Sequence, residues 1–167
     1  MKTPLQSEAL LKRLQSAGVD FVLIGGVAAT LYGASEPTVD LDVCVRFDLE
    51  HAQRLQQALL GLRIENAHNR ARAGLPEDPK ELVGFRNLYL NTELGRLDML
   101  SEVQPLGELP RLKASAETFL LDESPIHIIS LDDLITVKEF VRRPKDLLVA
   151  TQLRAIRDRL RHGAAED

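Results

Sequence analysis

The chain has a single cysteine, Cys44, so no disulfide can form within its 167 residues. A lone thiol points to a reducing compartment, and the expected location is the cytoplasm. There is no apolar run of about 18 residues, the length a bilayer-spanning helix needs, and no charged-then-apolar leader at Met1. Neither membrane spanning nor secretion is expected. Positive charge is in deficit as well: Lys and Arg number 21 against 25 Asp and Glu, and the net charge of −4 argues against a general nucleic-acid coat. Internal repeats and low-complexity tracts are missing. The histidines at 51, 68, 127 and 162 show no metal-ligand spacing.

What is present suffices for a core. A hydrophobic fraction of 44% is ordinary for a globular protein, and a chain of this length buries roughly 68–70% of its unfolded surface without staples. Charge is uneven, however. Between Arg142 and His162 lie Arg142, Arg143, Lys145, Arg154, Arg157, Arg159 and Arg161 against Asp146 and Asp158, so seven minus two leaves +5. This tail reads either as a solvated helical face or as a contact surface for phosphates or an acidic partner.

Along the chain, Leu5, Leu10, Leu11 and Leu14 fall near helical spacing and stop at Gly18. "VDFVLI" reads as a buried strand ending at Gly25-Gly26, and "VAATLYG" as two turns of helix closed by Gly33. "VDLDVCV" alternates strictly, with Val39, Leu41, Val43 and Val45 on one face. Asp48 is placed to cap an amphipathic helix with leucines at 49, 55, 59 and 62. From Arg63 to Val83 the chain is polar and broken by Gly74, Pro76 and Pro79, which predicts a long loop or lid. A hairpin follows, with strands near Phe85–Leu90 and through Met99–Leu100, and short strands are expected near 116–120 and 126–129. Ser130 and Pro144 open two last helices.

Chemistry concentrates in the acids. Residues two apart on a strand point to the same side, roughly 6.5 Å apart at Cα, so Asp40 and Asp42 project together from the face opposite the valines. Two such charges repel and each tends to take up a proton. Mg²⁺ removes the conflict, since it takes one or two carboxylates plus water and substrate phosphates. Asp98, flanked by Leu97 and Met99, is a third strand acid. If its strand lies beside that of Asp40, the three can hold two ions about 3.5–4 Å apart and clamp an in-line phosphoryl or nucleotidyl displacement. Each feature alone also fits a solvated sheet end. Ahead of them, Gly25-Gly26 between strand and helix lets backbone N–H groups approach a phosphate, although a structural turn has the same sequence. The stretch "GGVAATLYG" has neither the Lys-Ser/Thr of a Walker loop nor dinucleotide-fingerprint spacing. Cys44 shares the acids' face and reads as a small buried thiol. Arg86 and Arg96 read as solubilising strand-edge charges that could also approach phosphates.

Strand, Gly-Gly, short helix, Asp-Leu-Asp and a later lone strand aspartate together resemble the DNA polymerase β-like nucleotidyltransferase superfamily. In particular, "GGVAATLYGASEPTVDLDVCV" is similar to the AbiEii-type nucleotidyltransferases of toxin–antitoxin pairs. "GRLDML" and "LDDLITVKEFVRRPKDLLVATQL" extend the likeness. The resemblance implies an α+β fold: a mixed β-sheet flanked by helices, with residues 1–130 as the nucleotidyltransferase-like core and 131–167 as a C-terminal helical extension packed on it. It also implies an NTP co-substrate, with Gly25 and Gly26 at the triphosphate and Thr38 and Lys145 near it. Asp40, Asp42 and Asp98 would hold Mg²⁺, and Lys138 would reach the triphosphate from the helices. The chain departs from that pattern at Glu36, where the family often has arginine, and at Val149, where it commonly has aspartate.

Three readings result. The first is Mg²⁺-dependent transfer of an NMP to a hydroxyl of RNA, above all tRNA, or of a protein, within a toxin–antitoxin pair. The second is a catalytically weak, antitoxin-like binding protein on the same fold. The third is a structural α/β domain with an acidic sheet edge.

Overall fold

The computed structural model describes residues 3–72 and 74–166. Helix α1 (Ser7–Ser16) buries Leu10, Leu11 and Leu14 along one stripe, and Gly18 ends it in the left-handed region. Strand β1 (Val22–Ile24) is buried at all three residues, and α2 (Gly25–Tyr32) begins with no intervening loop. Next come β2 (Asp40–Cys44) and α3 (Leu49–Leu59), the latter capped by the Asp48 carboxylate, which accepts the His51 N–H at 2.8 Å.

The segment expected to be a long loop is ordered around two elements. Strand β3 (Ile64–Asn66) pairs antiparallel with β4 (Asn87–Thr92), and a 3₁₀ turn at Pro79–Leu82 packs on α3. Three strand residues at a sheet edge show too little alternation to stand out among glycines and prolines, yet Leu82 is fully buried. The chain then runs through β5 (Gly95–Leu100), a two-stranded ribbon of β6 (Glu102–Val103) and β7 (Gly107–Glu108), and α4 (Leu109–Ser115). Helix α4 was not expected. Pro110 lies in its first turn, where its missing N–H costs nothing.

Strands β8 (Glu117–Leu121) and β9 (Ser124–Ile128) form a hairpin turning on Asp122 and Glu123, both at positive φ. Helices α5 (Leu131–Val141) and α6 (Pro144–Glu166) finish the fold. Ser130 caps α5 by accepting the Asp133 N–H at 3.1 Å. Leu134, Ile135, Val149 and Leu153 from these two helices join the same buried cluster as the sheet.

Among the described residues the main sheet has seven strands in the order β3-β4-β5-β2-β1-β9-β8. It is mixed: β2 runs parallel to β5 and β1 parallel to β9, while the other neighbours are antiparallel. Leu41, Val43, Leu88, Leu90, Leu97 and Met99 alternate onto one face and are buried, as the period-2 pattern requires. Val39, expected on that buried face, lies before β2 and is 60% exposed. No described helix is long and apolar enough to cross a membrane.

The basic tail is largely answered within the chain. Arg154 pairs with Glu139, and Arg157 and Arg161 reach Asp132 at 3.1 and 3.6 Å. That arrangement suits a helix-packing face more than a free phosphate-binding stripe.

Replacing Leu82 by Ala should lower the unfolding free energy by about 2–5 kcal/mol, the range for truncating a fully buried leucine. A urea melt measures it, and a loss under about 0.5 kcal/mol, typical of a surface site, would mean the turn is loosely attached.

Candidate active site

Strand register assembles two polar rows on one face of the sheet. In the first, Glu65 of β3 opposes Asn91 of β4, which opposes Arg96 of β5, which opposes Asp40 of β2. In the second, two residues along, Tyr89 opposes Asp98 and Asp98 opposes Asp42. Side chains directly across a ladder share a face, so Asp42 and Asp98 stand side by side, and Asp40 stands beside Arg96.

The glycines adjoin this row. Gly25 sits at φ +69°, and a Cβ there would lie 2.3 Å from Asp42 Oδ2. Both backbone conformation and space therefore exclude a side chain. A Cβ on Gly26 would lie 2.6 Å from Thr38 Oγ1, and Thr38 in turn donates to the Asp40 carbonyl at 3.1 Å. The N-terminus of α2 thus comes against Asp42, with its first amides and dipole favouring an anion.

Like charges and burial raise the proton affinity of the acids. Burial, then Asp98 and Asp40, push the Asp42 carboxyl up to about 7, against the smaller opposing pull of Lys138 and Arg96. Among the described residues no hydrogen bond contributes there. Asp98 is also raised, chiefly by burial, although the Arg96 guanidinium works against the shift. Arg96 Nε donates to Asp98 Oδ1 at 2.8 Å and lies 3.9 Å from Asp40 Oδ1, with its guanidinium 5.8 Å from the Tyr89 ring centre. His68 packs edge-on against that ring.

On the other side of the acids stand the cations of α5 and α6. Lys138 Nζ donates to Asp146 Oδ1 at 3.2 Å, and Arg143 Nε donates to Asp146 Oδ2 at 2.7 Å. Asp146 is almost fully buried; burial alone would raise its carboxyl, but the two donors outweigh it and hold it below the usual range. Asp42 also raises the Arg143 guanidinium, so both cations feel the acid. Lys145 does not face the acids; its Nζ donates to the Pro37 carbonyl at 2.9 Å. Cys44 is fully buried behind Asp42 on the same face, and burial pushes its thiol up to about 12.

These groups suit a divalent cation only in part. An unbonded, half-buried carboxylate at Asp42, cradled by Gly25 and neighboured by Asp98, has the hard oxygen donors Mg²⁺ prefers. Yet among the described residues no three acidic, histidine or cysteine side chains converge on one point. Arg96 stands among the acids, bonding Asp98 while lying beside Asp40. The sequence did hold this signal: Arg96 and Asp98 are spaced as Asp40 and Asp42 are, and so share a face. Arg143 was missed as well, since its position depends on how α6 returns across α5.

No family profile and no curated protein matches the chain. Solved structures do match its fold. A crystal structure of the lincosamide antibiotic adenylyltransferase LnuA, lincomycin-bound, aligns over 92% of this chain and 99% of its own, with a TM-score of 0.60 and 18% identity. A solution structure of the antibiotic-resistance factor ANT(2'')-Ia aligns over 96% and 94%, with a TM-score of 0.51 and 14% identity. At such identities the likeness is one of fold alone.

Asp42 sets a pH dependence of stability. Its folded value of about 7 lies above its ordinary 3.8, so its contribution is fully present below about pH 4 and is lost as pH rises to 7 and beyond. Asp42→Asn should therefore raise the melting temperature of the metal-free protein by a few degrees at about pH 8 and hardly at all at about pH 4. Mg²⁺ should stabilise the parent more at the higher pH. Thermal melts at both values check this, and an equal shift at each would refute it.

Proposed function

We propose that the protein transfers a nucleoside monophosphate from an NTP to a hydroxyl acceptor. The observation that carries this reading is the register pairing of Asp42 with Asp98 on the polar face of the sheet, with Asp42 held against a Gly-Gly helix start. A divalent ion held by Asp42 with Asp40 or Asp98 would supply Lewis-acid stabilisation of the phosphoryl oxygens. Gly25 and Gly26 offer backbone donors to the polyphosphate, and Lys138 and Arg143 supply positive charge on that side. The acceptor oxygen forms a bond to the α-phosphorus, the bond from that phosphorus to the bridging oxygen breaks, and pyrophosphate leaves. The acceptor's proton passes to Asp98, whose Oδ2 is not engaged by Arg96. Thr38 holds the Asp40 backbone, and Lys145 holds the adjoining Pro37, so in this reading both act by positioning rather than by touching the nucleotide.

The AbiEii-type resemblance makes tRNA or a partner protein the expected acceptor, in a toxin–antitoxin setting. The structural neighbours carry names that speak of antibiotics, which makes a small molecule the competing class. One observation favours the weak-binding, antitoxin-like reading: the cations nearest the acids are already paired, Arg96 with Asp98 and both Lys138 and Arg143 with Asp146.

Incubation with α-labelled NTPs and Mg²⁺, alongside calorimetry with each NTP, separates these readings. Transfer should fall by at least about 10²-fold in Asp42→Asn and in Asp98→Asn. Transfer unchanged by both substitutions would refute the assignment, and no NTP binding at all would favour the binding protein.

A further inference from the structure

A cavity of about 640 Å³ opens beside the acids, on the side away from Lys138 and Arg143. Its walls carry the whole first polar row, Glu65, Asn91, Arg96 and Asp40, together with Thr38 and Val39. The segment Thr3–Leu5 closes another side. That segment is held in place: Gln6 donates to the Leu94 carbonyl at 2.8 Å, and Gly95 has no room for a Cβ, which would lie 2.8 Å from Leu5 Cα. Of Arg96, only Nε is hydrogen-bonded among the described residues, leaving its terminal nitrogens unspent on this wall. Val39, exposed against the strand pattern, is part of it.

Resting on the nucleotidyl-transfer reading, we propose that this cavity is the acceptor subsite and that its ligand is a small polyhydroxylated molecule, not a nucleic acid. In-line displacement places the attacking oxygen opposite the leaving pyrophosphate. The glycine turn, Lys138 and Arg143 lie on the β1–β9 side of Asp42, so the leaving group is drawn there. The acceptor must then enter from the β3–β5 side, where the cavity meets Asp40. A volume of this size holds a drug-sized ligand.

The lining selects the class. Carboxylates at Asp40 and Glu65, the Asn91 amide and the Thr38 hydroxyl can bind several hydroxyls at once. Pro4, Leu5, Val39 and Ala67 offer apolar surface to the flat side of a ring. Asp40 and Glu65 offset Arg70 and Arg96, so among the described residues the walls have no net positive charge with which to attract a polyphosphate backbone. Among the described residues the lining also has no aromatic side chain on which a base could stack.

The test uses α-labelled NTPs, Mg²⁺ and three acceptor pools from cell lysate: a small-molecule ultrafiltrate, total RNA and protein. Label should enter the ultrafiltrate. Ala67→Phe, which fills the cavity, and Asn91→Leu, which removes one polar anchor, should each cut that transfer by about tenfold or more while calorimetry finds NTP·Mg²⁺ affinity within about twofold of the parent. Label in RNA or protein instead, or transfer unaffected by both variants, would overturn the inference and leave nucleotidyl transfer standing. No NTP binding and no label in any pool would end both. Melting temperatures of the two variants guard against misfolding, and Asn91→Leu decides if Ala67→Phe does not fold.

Discussion

Two carboxylates are held side by side because β2 and β5 run parallel in one register, and the rest of the site is arranged around that repulsion. Left in water, Asp42 and Asp98 would separate or be screened. Here the strands beneath them are locked by Leu41, Val43, Leu97 and Met99, all fully buried, so the charges cannot move apart without breaking the core. The mismatch is relieved electrostatically instead. Arg96 takes one oxygen of Asp98, Lys138 and Arg143 act across the gap, and Asp42 relaxes the remainder by holding a proton into the neutral range. The proton that Asp42 holds is the stability cost of keeping the acids pre-formed at one place.

Much of this was legible in the sequence. Period-2 alternation placed Asp40 and Asp42 on one face, and Ser130 and Pro144 marked both late helix starts where they occur. Gly25-Gly26 stood out as a turn, and the structure adds why both positions need glycine: Asp42 and Thr38 fill the space a side chain would take. What stayed hidden depends on long-range pairing. Glu65 and Asn91 join the acids' row only because β3 pairs with β4 and β4 with β5, contacts no local pattern encodes. The hairpin at Asp122–Glu123 lacks the glycine that usually signals such a turn. Val39 breaks its alternation because it borders a cavity rather than the core.

The two sides of the acid pair differ in kind. Toward α5 and α6 the neighbours are cationic and backbone-rich, a setting for phosphate. Toward β3 and β4 they are mixed amides, carboxylates and hydroxyls over apolar patches. A single strand pair thus separates an anion-attracting half from a nearly neutral one, and that asymmetry gives the centre a direction.

The link between α2 and β2 is fastened to the last helix at two points. Gln152 exchanges hydrogen bonds with Ser35 through the Ser35 N–H at 3.1 Å and its hydroxyl at 3.2 Å, and Lys145 grips the Pro37 carbonyl. Thr38 and Asp40 follow directly. The stretch of chain leading into the acids is therefore not set by its own sequence; it is hung from a helix more than a hundred residues downstream. The fold behaves less like a core with an appendage than like a clasp, in which the terminal helix is the fastening and the acidic strand is what it holds shut.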